Sequence, residues 1–507
     1  MTPFFAQPLI AQLGPDWLIT WLTPLWILGV GALIGLVGLL LLWLVVLVFS
    51  RRRAFDIVEM LGDSALLPIF ITALVFGLFG ILGAFFVRTP EKMIGSLPRF
   101  ISTGTQMIER EVPMTDDTTF EDIDLDYSII GEELSLFRIE SDQPIYIRHK
   151  VEDQIIDAMI EVKAGEMTEW IRGKDSQSPI GDEEVRTLAV ANLGGTDATV
   201  KLTISTRPIF PQTWAMIVTA ISVIAVFVVY VLQQILFPKM SAIALATCKS
   251  EMAQPMFIII MGLGAFALFV FMILPYNTFG EDIKMLKDSA FTTIMILGII
   301  QAVWAASKSV SEEIEGKTAL TVLSKPVGRR SFVFGKFVGI IWTVAVLFVV
   351  LGAWFMVLVS YKPIYDARES SKIAPIWEDA YVEVVNTTPG LVLAFMETVV
   401  LAAISVAIST RLPLLANFAI CFSIYALGHL TPLIVQSSVG NLPPVAFMGL
   451  FISAVLPMLE AFNIQAAVAA GREVPLVYLG TAFLYCCLYS GVAMLLALFL
   501  FEDRDLA

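Results

Sequence analysis

The stretch SEEIEGKTALTVLSKPVGRRSFVFGK, residues 311–336, is a charged island between two long apolar runs. The run before it ends near residue 307, and the run after it begins near residue 333. About 20 apolar residues suffice to span a membrane, whereas charged side chains are costly inside the hydrocarbon core. The stretch therefore predicts two membrane-spanning helices joined by a polar connection.

The composition of the whole chain is that of a membrane protein. Hydrophobic residues make up 57% of its 507 residues, whereas soluble domains are about 45–50% apolar. Nine runs are long and apolar enough to span a membrane: residues 21–49, 65–87, 212–237, 256–275, 290–307, 333–360, 391–410, 412–436 and 475–501. We therefore predict an all-α polytopic membrane protein with about nine transmembrane helices.

The basic residues predict how the chain is oriented. Three arginines at 51–53 directly follow the first run, and basic residues favour the cytoplasmic side. We therefore expect the N-terminus outside and, after nine crossings, the C-terminus in the cytoplasm. A further apolar stretch at 445–466 is interrupted by Pro457 and Glu460, so we interpret it as interfacial or re-entrant.

A long hydrophilic segment separates the second run from the third. Apolar and polar residues alternate in it, which is typical of half-buried strands. Six strands are predicted, at Tyr127–Ile130, Leu134–Ile139, Ile145–His149, Ala158–Val162, Arg186–Ala191 and Thr199–Ser205. Such a set favours a small β-sandwich. Residues 88–207 carry a net charge of −11, which favours solubility; a docking surface for a basic partner or cationic ligand is the alternative.

These patterns divide the chain into four predicted parts. They are two N-terminal transmembrane helices at 1–87, an extracytoplasmic acidic β-rich domain at 88–211, a third transmembrane helix at 212–237, and a six-helix domain at 238–507.

The charged island has the signals of a short helix. Ser309 and Glu312 fit a capping box, and Glu313 and Glu315 add negative charge to the first turn. Pro326 ends the helix, because it lacks a backbone N–H. We predict a short helix at the membrane surface; an ordinary polar loop with an interfacial helix remains open on these signals alone.

The island resembles a known family. The string EIEGKTALTVLSKPV at 313–327, followed by Arg330 and by Gly335-Lys336, resembles the pattern E-I-E-x-x-T-x-x-x-L-L-S-x-P-V-x-R and a later G-K of ABC-2 type ABC transporter permeases. The resemblance extends from Lys239 onward. Its supporting segments are Lys249–Pro255, Gly280–Asp288, Leu456–Asn463 and Phe501–Leu506.

The resemblance implies a membrane-spanning permease subunit of the bacterial inner membrane. Such a subunit exports or flips a substrate, binds a separate ABC ATPase and pairs with a second copy or a sister permease. ATP is then held by the partner, with no cofactor on this chain and no nucleic-acid partner. The implied ATPase-coupling loop contains Glu312, Glu313, Ile314, Glu315, Thr318, Leu320, Leu323, Ser324, Pro326 and Arg330.

The resemblance leaves a second function of the chain open. The chain could instead transmit mechanical force, or act as a scaffold, on an extracytoplasmic partner through residues 88–211. An enzyme is not expected. Gly316-Lys317-Thr318 mimics the end of a phosphate-binding loop, but Ser311 stands where the first glycine is required, and the neighbouring glutamates would repel phosphate.

Polar residues inside the predicted spans are candidate functional groups. Glu397 is either a pathway-lining residue or a group near the outer interface, solvated by a loop at 386–390. Gln301 and Asn417 are interpreted as interhelical hydrogen-bonding residues. His429 is interpreted as a hydrogen-bonded packing residue.

Overall fold

The computed structural model describes residues 16–62, 64–114, 120–151, 154–172, 174, 179–180, 184–192, 194–276, 282–311, 313, 328–438, 447, 451, 455–463 and 474–502. It divides into two compact units. One, the membrane unit, comprises the chain up to Arg88 and from Ala215 onward; the other, the β unit, is Thr89–Trp214. The first is helical and the second contains antiparallel sheets, which confirms the predicted fold class.

The helices are numbered in chain order. They are α1 (Asp16–Phe49), α2 (Arg51–Gly62), α3 (Leu67–Leu82), α4 (Pro90–Gly95), α5 (Arg99–Ser102), α6 (Trp214–Leu236), α7 (Pro238–Met252), α8 (Pro255–Ile273), α9 (Asp282–Ala306), α10 (Arg329–Glu369), α11 (Trp377–Ser409), α12 (Leu414–Ser438) and α13 (Leu476–Glu502). Within the described residues, eight of them are long and apolar enough to cross a membrane: α1, α3, α6, α8, α9, α10, α11 and α13. The remaining predicted run coincides with α12, of which the part Leu414–Leu430 is counted as a shorter apolar helix within the described residues.

Several helices extend beyond the runs that predicted them. Helix α9 begins at Asp282, α10 continues to Glu369, and α11 begins at Trp377. The predicted loop at 386–390 is therefore helical. Hydropathy places charged residues in water, but these helix ends bury charges: Lys287 of α9 pairs with Glu383 of α11, and its side chain is fully buried.

The doubtful stretch at 445–466 is described mainly at 455–463. In that part Val455 is α-helical, and a 3₁₀ turn follows at Leu459–Phe462. Leu459 and Phe462 are buried, and Leu459 packs close to Gly428 of α12. The tyrosine hydroxyl of Tyr485 on α13 accepts a hydrogen bond from the Met458 backbone N–H at 2.8 Å.

The N-terminal helices pack at very short range. A Cβ atom on Gly29 of α1 would lie 2.6 Å from the Phe76 carbonyl oxygen and 2.8 Å from the Gly80 nitrogen of α3. The buried Trp26 indole donates to the Gly80 carbonyl at 2.8 Å. Small residues let membrane helices approach closely, where dispersion contacts replace the absent hydrophobic driving force. This contact therefore joins α1 and α3 into a hairpin.

Helix α1 also packs on helices further along the chain. A Cβ atom on Gly31 would lie 2.7 Å from the Met216 carbonyl oxygen of α6. Near its start, the Ser360 hydroxyl of α10 donates to the Trp21 carbonyl at 2.6 Å, and the Trp21 indole donates to the Val357 carbonyl at 3.2 Å. The N-terminal hairpin is thus fixed to α6 and α10 by both packing and hydrogen bonds.

The β unit is a sandwich of two four-stranded antiparallel sheets. Its strands are β1 (Thr105–Val112), β2 (Glu121–Ile129), β3 (Leu134–Ser141), β4 (Ile145–Val151), β5 (Gln154–Val162), β6 (Met167–Ile171), β7 (Val185–Asn192) and β8 (Ala198–Thr206). The sheet orders are β1-β8-β3-β6 and β2-β7-β4-β5. Alternate residues of the two sheets, among them Phe137, Ile147, Leu188, Val200 and Ile204, form one buried core.

The sequence predicted six of these strands and missed two. Both missed strands, β1 and β6, are edge strands of the same sheet. Strand β1 reads TQMIEREV, with mostly exposed or half-buried side chains. Edge strands often carry charged residues that discourage aggregation. In such strands the alternation of apolar and polar residues, which has a period of two, is hard to recognise in the sequence.

A buried ion pair fixes the start of the β unit to its sheets. The Arg99 guanidinium of α5 donates from Nε to both carboxylate oxygens of Glu133, at 2.9 and 3.1 Å, and from Nη1 to the Ser128 hydroxyl at 3.0 Å. Burial would disfavour this charge, but the hydrogen bonds to Glu133 dominate and raise the pKa of Arg99. The pair anchors α5 against β2 and β3.

Candidate coupling site

The charged island is described only at its two ends. Glu313 lies shortly after α9, and Arg330 lies in the first turn of α10 with an exposed side chain. The other predicted coupling residues lie outside the described residues; they are Glu312, Ile314, Glu315, Thr318, Leu320, Leu323, Ser324 and Pro326. The structure therefore shows how the island is anchored at both ends.

An ion pair joins the two ends of the island. The Lys336 ammonium of α10 donates to Oε1 of Glu313 at 2.6 Å. Lys336 is only 7% exposed, and its ammonium also lies 5.5 Å from the Phe332 ring centroid. A buried charge needs such a partner, because its desolvation is otherwise uncompensated. The pair therefore holds the start of the island against α10.

Helix α7 is packed tightly against the same part of α10. A Cβ atom on Gly339 would lie 2.6 Å from the Ala244 carbonyl oxygen, and one on Gly335 would lie 2.9 Å from the Met240 carbonyl oxygen. Deeper in this contact, the Thr343 hydroxyl donates to the Cys248 sulfur at 3.3 Å. The glycines allow backbone contact that a side chain would prevent, so α7 lies directly against the first turns of α10.

A buried carboxylate on α7 faces this ion pair. Glu251 is 1% exposed, and its Oε2 has no hydrogen-bond partner among the described residues. Burial raises the pKa of Glu251 to about 7, while the neighbouring Lys336 ammonium acts in the opposite direction. Glu251 and Glu313 thus both interact electrostatically with Lys336, and Lys308 also favours the charged form of Glu251. In the sequence, Glu251 stands out only as a member of Lys249–Pro255, one of the segments that carry the family resemblance.

The end of α9 differs from the prediction. Residues Ser307–Ser311 form a π-helical turn that continues α9, so Ser309 does not cap a new helix. Its hydroxyl instead donates to the Ala305 carbonyl at 2.6 Å, as serine does when it bonds back along a helix. The Asn417 side-chain nitrogen of α12 lies 2.8 Å from the Ser307 hydroxyl and fixes this turn.

The two predicted interhelical amides have different outcomes. The Asn417 nitrogen also lies 2.8 Å from the hydroxyls of Ser405 and Ser409 on α11, so it links three helices as expected. Gln301 of α9 is buried, but neither of its amide atoms has a hydrogen-bond partner within the described part of the chain. The prediction of an interhelical hydrogen bond is therefore wrong for Gln301.

Glu397 lies inside the helix bundle. It is 1% exposed and lies 20 residues after the start of α11, so no loop at 386–390 solvates it. Its Oε1 is 3.5 Å from Nε2 of His429 on α12, and Nδ1 of His429 lies 3.1 Å from the Tyr425 carbonyl oxygen. This pairing gives His429 a polar contact besides its predicted packing. No three His, Cys, Asp or Glu side chains of the described residues form a metal site.

The raised pKa of Glu251 predicts a pH-dependent stability. The folded state binds this proton more tightly than the unfolded chain, so its stabilising effect is complete below about pH 4.5 and is lost as pH rises through about 7. The full difference is up to about 3 kcal/mol. We expect the melting temperature of Glu251→Gln to rise relative to wild type between pH 5 and pH 8, measured by tryptophan fluorescence.

The exposed Glu59 of α2 provides the matched control. Glu59→Gln is expected to follow the wild-type melting curve at every pH. A constant difference between Glu251→Gln and wild type across this range would show that Glu251 does not take up a proton near neutral pH.

The comparison with protein families agrees with the resemblance at the charged island. The family described as ABC-2 family transporter protein matches residues 212–506, more than half of the chain. The match covers α6 to α13 and includes the anchored island, α7 and Glu397. A comparison with curated proteins finds no match. The chain is a multi-pass membrane protein that belongs to the ABC-2 transporter family.

Proposed function

We propose that this chain is the permease subunit of an ABC transporter in a bacterial inner membrane, with its N-terminus outside and its C-terminus in the cytoplasm. A separate ATPase subunit binds ATP, and a second copy or a sister permease completes the membrane assembly. The chain exports or flips a substrate across the membrane. The family match and the multi-pass helical fold support this role.

The observation that carries the proposal is the anchoring of the charged island. An ATPase that pushes on the charged island moves Glu313, and through the Lys336 pair it moves the start of α10. The close contacts of Gly335 and Gly339 pass this movement to α7. A local push is thereby converted into a joint displacement of packed helices, which is a common form of conformational switching.

Breaking the ion pair is expected to uncouple the complex. Lys336→Gln removes the cation that ties Glu313, whose side chain is 32% exposed, to the start of α10. We expect Lys336→Gln to lower the vanadate-sensitive ATPase activity of the co-purified complex at least tenfold, with membrane insertion retained. The charge-exchanged variant Lys336→Glu/Glu313→Lys is expected to recover part of that activity.

The control is Lys372→Gln, which removes an exposed lysine after α10. It is expected to retain activity within a factor of two. Full ATPase activity and ATPase binding in Lys336→Gln, at normal expression, would remove the ion pair from the coupling route.

Glu397 is proposed to line the substrate pathway. Ionisable groups within membrane helices are costly and commonly mark such pathways. Its Oε1 lies 3.5 Å from Nε2 of His429 but makes no hydrogen bond within the described part of the chain, and Glu397 is 1% exposed. The proposal requires that water reaches this position when the transporter changes state.

This requirement can be measured by thiol labelling. In a Cys487→Ser background, which removes the exposed native cysteine, we expect Glu397→Cys to react with a membrane-impermeant thiosulfonate at least tenfold faster in ATP plus vanadate than without nucleotide. Ala402→Cys, equally buried on the same helix, is expected to stay unreactive. Equal, slow labelling at both positions in both states would contradict the pathway role.

The alternative function is mechanical action on an extracytoplasmic partner through the β unit. One observation favours keeping it: the β unit has its own hydrophobic core and is a separate compact unit. Its ends lie together, since the Thr206 backbone N–H donates to the Gly104 carbonyl at 3.0 Å. Residues 105–205 can therefore be removed and the two ends joined by a short glycine linker.

The deletion separates the two functions. If the chain is a transporter with an accessory domain, the deletion variant is expected to keep its ATPase partner and at least half of its ATPase activity, measured in nanodiscs. The control is Arg138→Gln in the full-length chain. It removes an exposed ion pair with Glu169 on the surface of the β unit and is expected to leave the ATPase activity unchanged. Complete loss of activity in a stably inserted deletion variant would favour the mechanical role.

A further inference from the structure

A groove lies between four helices of the membrane unit, α1, α3, α6 and α10. Its volume is about 250 Å³, and its lining includes Leu28 of α1, Ala73 of α3, Val226 of α6 and Ala353 of α10. Helices α1 and α3 precede residue 212, where the family match begins. Half of the helices that form the groove therefore belong to the N-terminal extension of this chain.

The groove offers no polar partner to an occupant. The Thr72 hydroxyl of its lining donates to the Pro68 carbonyl at 2.9 Å, and the Ser222 hydroxyl donates to the Val218 carbonyl at 2.8 Å. These two hydroxyls are satisfied within their own helices, and the third hydroxyl residue of the lining, Thr219, exposes no polar atom to the groove. An apolar cavity of about 150 Å³ stays dry and binds small hydrocarbons. An apolar groove of this size consequently selects hydrocarbon over water.

The position of the groove indicates the source of that hydrocarbon. All four helices are candidate membrane spans, and the lining residues lie within them. Large apolar residues beside the groove, including Ile71, Val75 and Ile221, are exposed on the protein surface. At this depth such a surface faces the acyl chains of the bilayer. We propose that the groove binds one acyl chain of a bilayer phospholipid.

The bound chain has a structural consequence. It fills the space between the α1–α3 hairpin and α10, where side chains leave a gap, and adds dispersion contacts to both walls. The phospholipid is held by its hydrocarbon and not by its headgroup. This inference concerns the N-terminal extension and is independent of the ATPase partner proposed above.

Native mass spectrometry of the full chain tests the proposal. The protein is reconstituted in equal amounts of phosphatidylethanolamine and phosphatidylglycerol with identical oleoyl chains, then released in mild detergent. We expect wild type to retain one more phospholipid per chain than Ala73→Leu or Ser222→Phe, which fill the groove. The phospholipid that is lost should comprise both headgroups in equal proportion.

Ser423→Phe is the matched control, because Ser423 of α12 is exposed and also donates to its own helix, at 2.8 Å. It is expected to retain the wild-type number of phospholipids. If Ser222→Phe unfolds at a lower temperature than wild type, Ala353→Val is tested in its place, because it narrows the groove with a smaller side chain. Equal phospholipid counts in wild type and folded filled variants would overturn the proposal, as would loss of a single headgroup. Loss of a dimer without loss of phospholipid would assign the groove to a second copy.

Discussion

The ion pair between Lys336 and Glu313 is the interaction on which the arrangement of the coupling site depends. Lys336 is 7% exposed and lies beside backbone contacts between α7 and α10, so its ammonium is largely shielded from solvent. Separating the pair is therefore costly. The start of the charged island, the first turns of α10 and helix α7 must move together or exchange partners. Glu251 is the one nearby carboxylate on α7 that could receive the lysine.

The fold class could be predicted because it follows from strong local patterns. Long apolar runs predicted the membrane helices, and alternating residues predicted six of the eight strands. The ends of the helices could not be predicted in this way. Helices α9 and α11 begin before the apolar runs, in segments where the buried Lys287 pairs with Glu383. Hydropathy treats each charge as separate and therefore places both in water.

The candidate site was predictable only in part. The island was recognisable from a contiguous string, and Asn417 was recognisable as a lone amide in an apolar span. The importance of Glu251 depends on Gly335 and Gly339, about 85 residues later, which bring α10 against α7. Gln301 was given the same role as Asn417, but no suitable hydroxyl faces it within the described residues. Such outcomes depend on tertiary contacts that a single sequence does not reveal.

The buried polar groups of the bundle are satisfied to different degrees. Some are paired, as Lys287 is with Glu383 and Lys336 is with Glu313. Others lack hydrogen-bond partners among the described residues: Oε2 of Glu251 on α7 and, within the candidate spans, Gln301 of α9 and Oε1 of Glu397 on α11. Each unsatisfied group costs about 1–3 kcal/mol, and α9 and α11 are the most buried of the candidate spans. Water or substrate admitted beside α9 and α11 would satisfy Gln301 and Glu397, and the proposed transport cycle requires such an opening.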